Sequence, residues 1–243
     1  MILSDAQVAL KFEYVTTMDQ HYYDNVGRYM LNSFLKYSPS NCRINLYAEN
    51  VNSKFTETDK LKVYDWNHVV YPQWKQFKSS VQKEIKFAKK GLTFIHALEN
   101  IDTDYLIWSD ADIMYRKEFE TKLITELCPK KYCVALFSHD YLGEKYSAES
   151  GFVIVNKNHK HFFQFLETYK KAYVNKPKEI TKWYDGQVCM FAASKLKYKD
   201  LSELSIDKNT HTPLNKCFLS EYMLHEKGPT KKRLPPAYFE SFK

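Results

Sequence analysis

Apolar and polar positions along this chain alternate between two periods. Residues 11–19 follow a two-residue rhythm and end in Thr16, Thr17, Met18 and Asp19, the pattern of a strand that runs into a binding loop. Val26, Met30, Phe34 and Tyr37 then fall at helical spacing, and Pro39, Ser40 and Asn41 end that helix. Arg43 to Tyr47 and Lys62 to Trp66 predict two more strands. A long helix follows, with Val81, Ile85, Ala88, Leu92, Ile95 and Leu98 as its buried stripe and Lys83, Lys86, Lys89 and Lys90 on other faces. Beyond it the pattern predicts a polar helix near 119–127, a strand at 132–137, and a strand at 152–156 entered through a tight polar turn, Glu149-Ser150-Gly151. A helix near 161–173 comes next, then an apolar segment at 188–193.

The long helix delivers the chain to Tyr105-Leu106-Ile107-Trp108-Ser109-Asp110-Ala111-Asp112-Ile113-Met114. This reads as a buried strand with an acidic end. Residues two apart on a strand share a face, so Asp110 and Asp112 would point the same way. Ionised carboxylates beside an apolar strand are costly unless something positive offsets their desolvation. A shared divalent cation is one reading; a pair of turn formers at a strand end is the plain alternative.

Strand, helix, strand, with a polar end to the first strand, is the layout of a nucleotide-binding α/β half, whose ligands sit beyond the carboxyl ends of parallel strands. There is no GxGxxG and no GxxxxGK[ST], so dinucleotide and P-loop chemistry are unsupported. Trp183, Tyr184, Asp185, Gly186 and Gln187 place a carboxylate and an amide beside two aromatic rings at a helix start. That set suits a sugar, and equally an N-capping aspartate.

Composition narrows the picture. The chain has 243 residues, 44% of them hydrophobic, with 19 Tyr and 16 Phe against 6 Gly, which fits one packed domain and not a low-complexity chain. Its five cysteines are scattered without a CxxC pair, as expected of free thiols in a reducing compartment. No apolar run approaches about 20 residues and no secretory signal is visible, so the expectation is a cytoplasmic protein without a transmembrane segment. The net charge of +7 is spread along the chain, so no nucleic-acid partner is expected.

Near the end, His225, Gly228 and Lys231 form an HxxGxxK pattern. Together with the DxD of Asp110 and Asp112, it resembles the nucleotide-sugar glycosyltransferases of GT-A fold, in particular the glycogenin and lipopolysaccharide galactosyltransferase type. The resemblance implies a Rossmann-like α/β domain over residues 1–243, with a mixed, mainly parallel central sheet flanked by helices. Its nucleotide-binding half would cover about 10–115 and its acceptor-binding half about 130–230. It also implies Mn²⁺, or Mg²⁺, on Asp110, Asp112 and His225, and a nucleoside diphosphate sugar as donor, a UDP-sugar first. Thr16, Thr17, Met18 and Asp19 look like the nucleotide loop, Tyr22 or Tyr23 like the base-stacking ring, and Lys90 or Lys86 like the residue that reaches the diphosphate. The Asp110-Ala111-Asp112 segment, Gly228 and Lys231 look like the remaining diphosphate contacts. The family commonly continues its last motif with Pro and Trp, where this chain has Lys232 and Arg233.

Hexosyl transfer to a glycan, lipid-linked or protein acceptor follows as the expected activity. With inversion, Asp185 or Glu149 would serve as base. With retention, which the resemblance implies, the leaving phosphate can take the proton, and Asp185 or Gln187 would position the donor. Two other classes remain open at this level: a metal-dependent nucleotidyltransferase or phosphoesterase, and a basic module that binds nucleic acid or glycan without catalysis.

Overall fold

The computed structural model describes residues 10–74, 77, 79, 81–139, 147–207, 210 and 212–226. In chain order the strands are β1 (Phe12–Asp19), β2 (Cys42–Glu49), β3 (Leu61–Asp65), β4 (Tyr105–Ser109), β5 (Ile113–Tyr115), β6 (Val134–His139), β7 (Ser147–Asn156), β8 (Lys199–Asp200) and β9 (Met223–His225). The helices are α1 (Gln20–Tyr22), α2 (Arg28–Tyr37), α3 (Trp66–Val69), α4 (Tyr71–Trp74), α5 (Gln82–Glu99), α6 (Thr121–Leu127), α7 (Phe162–Val174) and α8 (Asp185–Ser194). A π-helical turn, Tyr23–Gly27, joins α1 to α2.

Seven strands form one sheet in the order β3-β2-β1-β4-β7-β6-β8, and β5 pairs with β9 in a separate ribbon. Within the large sheet β7 alone runs against its neighbours; every other pairing is parallel. The mixed, mainly parallel sheet expected from the strand-helix alternation is therefore present, in a single domain.

β4 is buried on both faces. Tyr105 and Ile107 pack into a layer with α2, β5 and α6, while Leu106 and Trp108 pack into the opposite layer with α5, α7 and α8. A strand covered on both sides reads as a continuous apolar run, which is why this segment stands out in the sequence.

Three expectations need correction. The strand ends at Ser109: Asp110, Ala111 and Asp112 form a turn in which Ile113 N donates to Asp110 O at 3.0 Å, and the chain then leaves for the ribbon. Strand alternation is therefore not what aligns the two aspartates. Glu149, Ser150 and Gly151 are not a turn but part of β7. Val81 is exposed, because α5 begins one residue later and Val81 is its N-cap.

The β6–β7 register skips here. Leu136 faces Val153 and the next residue, Phe137, faces Glu149, so residues 150–152 have no partner on β6. A bulge of this kind re-aims side chains. Phe152 still pairs with Ser109, and Asp110 N donates to Gly151 O at 2.8 Å, which fixes the bulge against the end of β4.

Candidate active site

The carboxyl ends of β1, β2 and β4 lie along one edge of the sheet, where Asp19 is in register with Glu49. Because β7 is antiparallel, its amino-terminal half with Glu149 and Ser150 reaches the same edge. A cleft there is lined by Thr17, Asp19, Tyr22, Lys86, Lys90 and Asp110, among others. Asp19 starts α1 by accepting the Tyr22 amide at 2.8 Å, which sets where the following aromatic side chains go.

Of the two candidate tyrosines, Tyr22 lines the cleft and donates its hydroxyl to Asp112 Oδ2 at 3.3 Å. Burial first, and then the nearby Asp112 and Asp110 charges, raise its pKa, so it stays a donor. Tyr23 points elsewhere, with its ring edge-on to Phe55 at 5.4 Å. Thr17 is at the cleft and donates to Tyr47 O, whereas Thr16 is fully buried in β1. Ala111 lines the cleft as well.

Lys90 occupies the centre. Its Nζ lies 2.6 Å from Asp110 Oδ1 and 2.8 Å from Asp185 Oδ2, and it donates to Ser150 Oγ at 3.2 Å. Burial disfavours its charge, but Asp110 and Asp185 outweigh that and hold it above the ordinary lysine range. Lys86 is exposed at the rim of the same cleft. Asp110 is further fixed by Trp108 Nε1 at 2.7 Å, and Asp185 by Ser150 Oγ at 2.5 Å. Asp185 opens α8, where the helix dipole favours a carboxylate. Gln187 is buried behind it, where its Oε1 accepts from Thr181 Oγ1 and Lys182 N and thereby pins the loop before α8.

His225 comes from the far end of the chain. β9 pairs with β5 so that His225 faces Ile113, Asn215 clamps the His225 backbone with two bonds of 2.7 Å, and Glu226 N donates to Asp112 O at 2.9 Å. The ribbon thus sets the imidazole beside the acidic turn. Nε2 lies 3.1 Å from Asp112 Oδ1 and 3.8 Å from Asp110 Oδ2; Nδ1 lies 3.8 Å from Glu149 Oε1. The ring is 2% exposed and neither nitrogen has a hydrogen-bond partner among the described residues. A buried imidazole left without hydrogen bonds and ringed by carboxylates fits a metal ion, and Asp110, Glu149 and His225 each offer a ligand atom within 4.8 Å of the others. One nitrogen with carboxylate oxygens suits Mn²⁺ better than Mg²⁺. Gly228 and Lys231 lie outside the described residues.

Ser150, Gly151 and Trp108 support the site without having been anticipated in those roles; only the polar run into β7 hinted at the first two. Gly151 is required by close approach, since a Cβ there would stand 2.4 Å from His225 Cε1 and 2.9 Å from Glu149 Oε1. Gly151→Ala is expected to lose about 1–3 kcal/mol in urea denaturation and to shift the His225 ring resonances in an NMR spectrum. Unchanged ring signals would show that the imidazole does not rest on Gly151.

No protein-family profile matches the chain, and no curated protein matches it by sequence. Solved structures do. The apo structure of the bifunctional glycosyltransferase WbbM is similar with a TM-score of 0.57 at 12% identity, over 98% of this chain and 50% of that one, so the chain spans half of its length. The galactosyltransferase LgtC, in complex with donor and acceptor sugar analogs, gives 0.56 at 11% identity over 95% of this chain and 93% of that one. Mouse xyloside xylosyltransferase 1, in its apo form, gives 0.50 at 11% identity over 76% and 81%. Among the described residues no helix is long and apolar enough to cross a membrane. In its mixed sheet and flanking helices the chain has the GT-A fold of these glycosyltransferases.

Proposed function

We propose that this protein is a metal-dependent glycosyltransferase that moves a hexose from a nucleoside diphosphate sugar, a UDP-sugar, to a hydroxyl acceptor with retention. The observation that carries this reading is the buried, hydrogen-bond-free His225 imidazole set against Asp112, Asp110 and Glu149 at the edge of a lysine-lined cleft. The similarity to WbbM, LgtC and the xylosyltransferase supports it at the level of fold.

Asp110, Asp112 and His225 would hold Mn²⁺, which when bound offsets the negative charge that grows on the diphosphate as the anomeric carbon–oxygen bond breaks. Glu149 is 4% exposed, accepts from Gly151 N at 3.0 Å, lies 3.8 Å from Nδ1 of His225, and could offer the ion a further carboxylate oxygen. Lys86 at the rim is placed to pair with a phosphate oxygen. Thr17, Asp19 and Tyr22 form the nucleotide end of the cleft.

Asp185, tied to Ser150 and Lys90, accepts hydroxyl hydrogens of the donor sugar and holds its anomeric carbon toward the acceptor. The acceptor oxygen bonds to that carbon, the bond to the phosphate oxygen breaks, and the acceptor's proton passes to the departing phosphate. No separate side-chain base is then needed.

The test is calorimetric titration of UDP into the full chain with and without Mn²⁺, with GDP as comparison. UDP binding that appears only with Mn²⁺ is the expected outcome. Equal binding with and without the ion would remove the metal from the donor site, and binding of neither nucleotide would turn attention to phosphoesterase chemistry.

A further inference from the structure

Each of the two aspartates beside His225 is held by one oxygen and turns the other toward the ring. Asp110 Oδ1 accepts from Trp108 Nε1 at 2.7 Å and pairs with the Lys90 ammonium at 2.6 Å, and its Oδ2 lies 3.8 Å from His225 Nε2. Asp112 Oδ2 accepts the Tyr22 hydroxyl at 3.3 Å, and its Oδ1 lies 3.1 Å from the same nitrogen. The same division of a carboxylate is thus made twice, by donors from different elements. Trp108 belongs to β4 and Tyr22 to α1.

Tyr22 reaches Asp112 across 90 positions of sequence, and local structure puts it there. Asp19 accepts from Tyr22 N at 2.8 Å and closes the first turn of α1. The π-helical turn Tyr23–Gly27 follows at once, a feature frequent at functional sites, and Tyr23 goes to Phe55 while Tyr22 faces the cleft. Gly27 lets that turn lie against the end of β1, since a Cβ there would stand 2.4 Å from Met18 Sδ. The nature of the donor matters as well. Lys90 shares the charge of Asp110, whereas the Tyr22 hydroxyl is neutral and orients Asp112 without neutralising it.

We infer that Tyr22 is a positioning residue for the metal ion: its hydroxyl holds Asp112 Oδ2, so that Oδ1 stays turned toward His225 Nε2 and the ion is offered one carboxylate oxygen rather than two. The inference rests on the metal-dependent reading above. A carboxylate that binds through one oxygen fills one coordination position and leaves the next for a phosphate oxygen; one that swings round to grip the ion with both fills two. A carboxylate stripped of its outer partner must also be ordered when the ion arrives, which weakens binding.

Titration of the full chain with Mn²⁺, followed by the paramagnetic resonance signal of the free ion, tests it without nucleotide and again with excess UDP. Tyr22→Phe keeps the ring and removes only the hydroxyl, and should bind Mn²⁺ about tenfold more weakly in both series. The resonance spectrum of the bound ion should also change in this variant, a readout that a general loss of stability does not move. Tyr23→Phe removes the neighbouring hydroxyl and should match the wild type in affinity and in spectrum. Wild-type affinity in Tyr22→Phe, an unchanged spectrum of its bound ion, or an equal loss in Tyr23→Phe would each overturn the assignment. Absence of Mn²⁺ binding by the wild type in both series would instead bring down the metal-dependent reading itself.

Discussion

Asp112→Asn is expected to abolish Mn²⁺-dependent UDP binding while leaving the metal-free fold as stable as before. Asp112 is 4% exposed, with Oδ1 3.1 Å from His225 Nε2 and Oδ2 receiving the Tyr22 hydroxyl. Asparagine keeps the shape and the Tyr22 bond but removes the charge. Loss of a partner that merely orients a metal ligand costs roughly 10- to 100-fold in affinity, so loss of a ligand should cost at least on the order of 100-fold. Without an ion, the neutral amide also relieves repulsion between the Asp110 and Asp112 carboxylates, so thermal unfolding should show no drop in Tm. Titration of UDP with Mn²⁺ into both proteins checks the first part. Equal affinities would take Asp112 out of the site.

Lys90→Met is expected to be the most damaging single change to stability among the cleft residues. Lys90 is 15% exposed at its side chain and stands between two carboxylates, one of which, Asp185, is 6% exposed. Methionine keeps the length of the stem and removes the only positive charge that the described residues place within ion-pair distance of both. Stripping one partner from a buried pair costs about 3 kcal/mol, because the remaining charge stays desolvated. For a chain of this size that corresponds to a Tm lowered by roughly 6–12 °C. The double variant Lys90→Met, Asp185→Asn should recover part of the loss, which urea denaturation of the two single variants and the double would read as a coupling energy. No coupling would mean that the Lys90–Asp185 pair contributes nothing.

Much of this architecture is legible in the sequence because burial on two faces and helical stripes both leave periodic traces. β1, α2, β2, α5, β4 and α7 all stand where the apolar spacing puts them. The acidic end of β4 is legible too, but not its geometry: an apolar-acidic-apolar run is compatible with a continuous strand and with a strand, a turn and a second strand. What decides is the ribbon partner of Ile113–Tyr115, which is Met223–His225. A three-residue strand that pairs across more than a hundred residues has no local signature.

The same limit applies to neighbours in sequence. Tyr22 and Tyr23 are equivalent in composition, and only the capped first turn followed by a π-helical turn separates a cleft residue from one packed edge-on against Phe55. Lys86 and Lys90 are one helical turn apart and both line the cleft. Their difference lies in depth, since Lys90 meets carboxylates delivered by β4 and α8 while Lys86 remains at the rim. The residues 150–152 bulge is silent for a related reason: it is a mismatch between two strands, and a mismatch is a property of the pair.

The β5–β9 ribbon has a consequence for the order in which the molecule becomes competent. Two strands of three residues are marginal alone, and this pair leans on the Asn215 clamp and the Glu226 to Asp112 bond. Opening the ribbon would take the imidazole away from the acidic turn and uncover Met223, which is fully buried in the same core as β1 and β4. Any ligand that bridges Asp112 and His225 therefore acts as a latch, adding its binding free energy to the closed ribbon and none to the frayed one. Substrate affinity and the anchoring of the carboxyl-terminal strand become two readings of a single equilibrium.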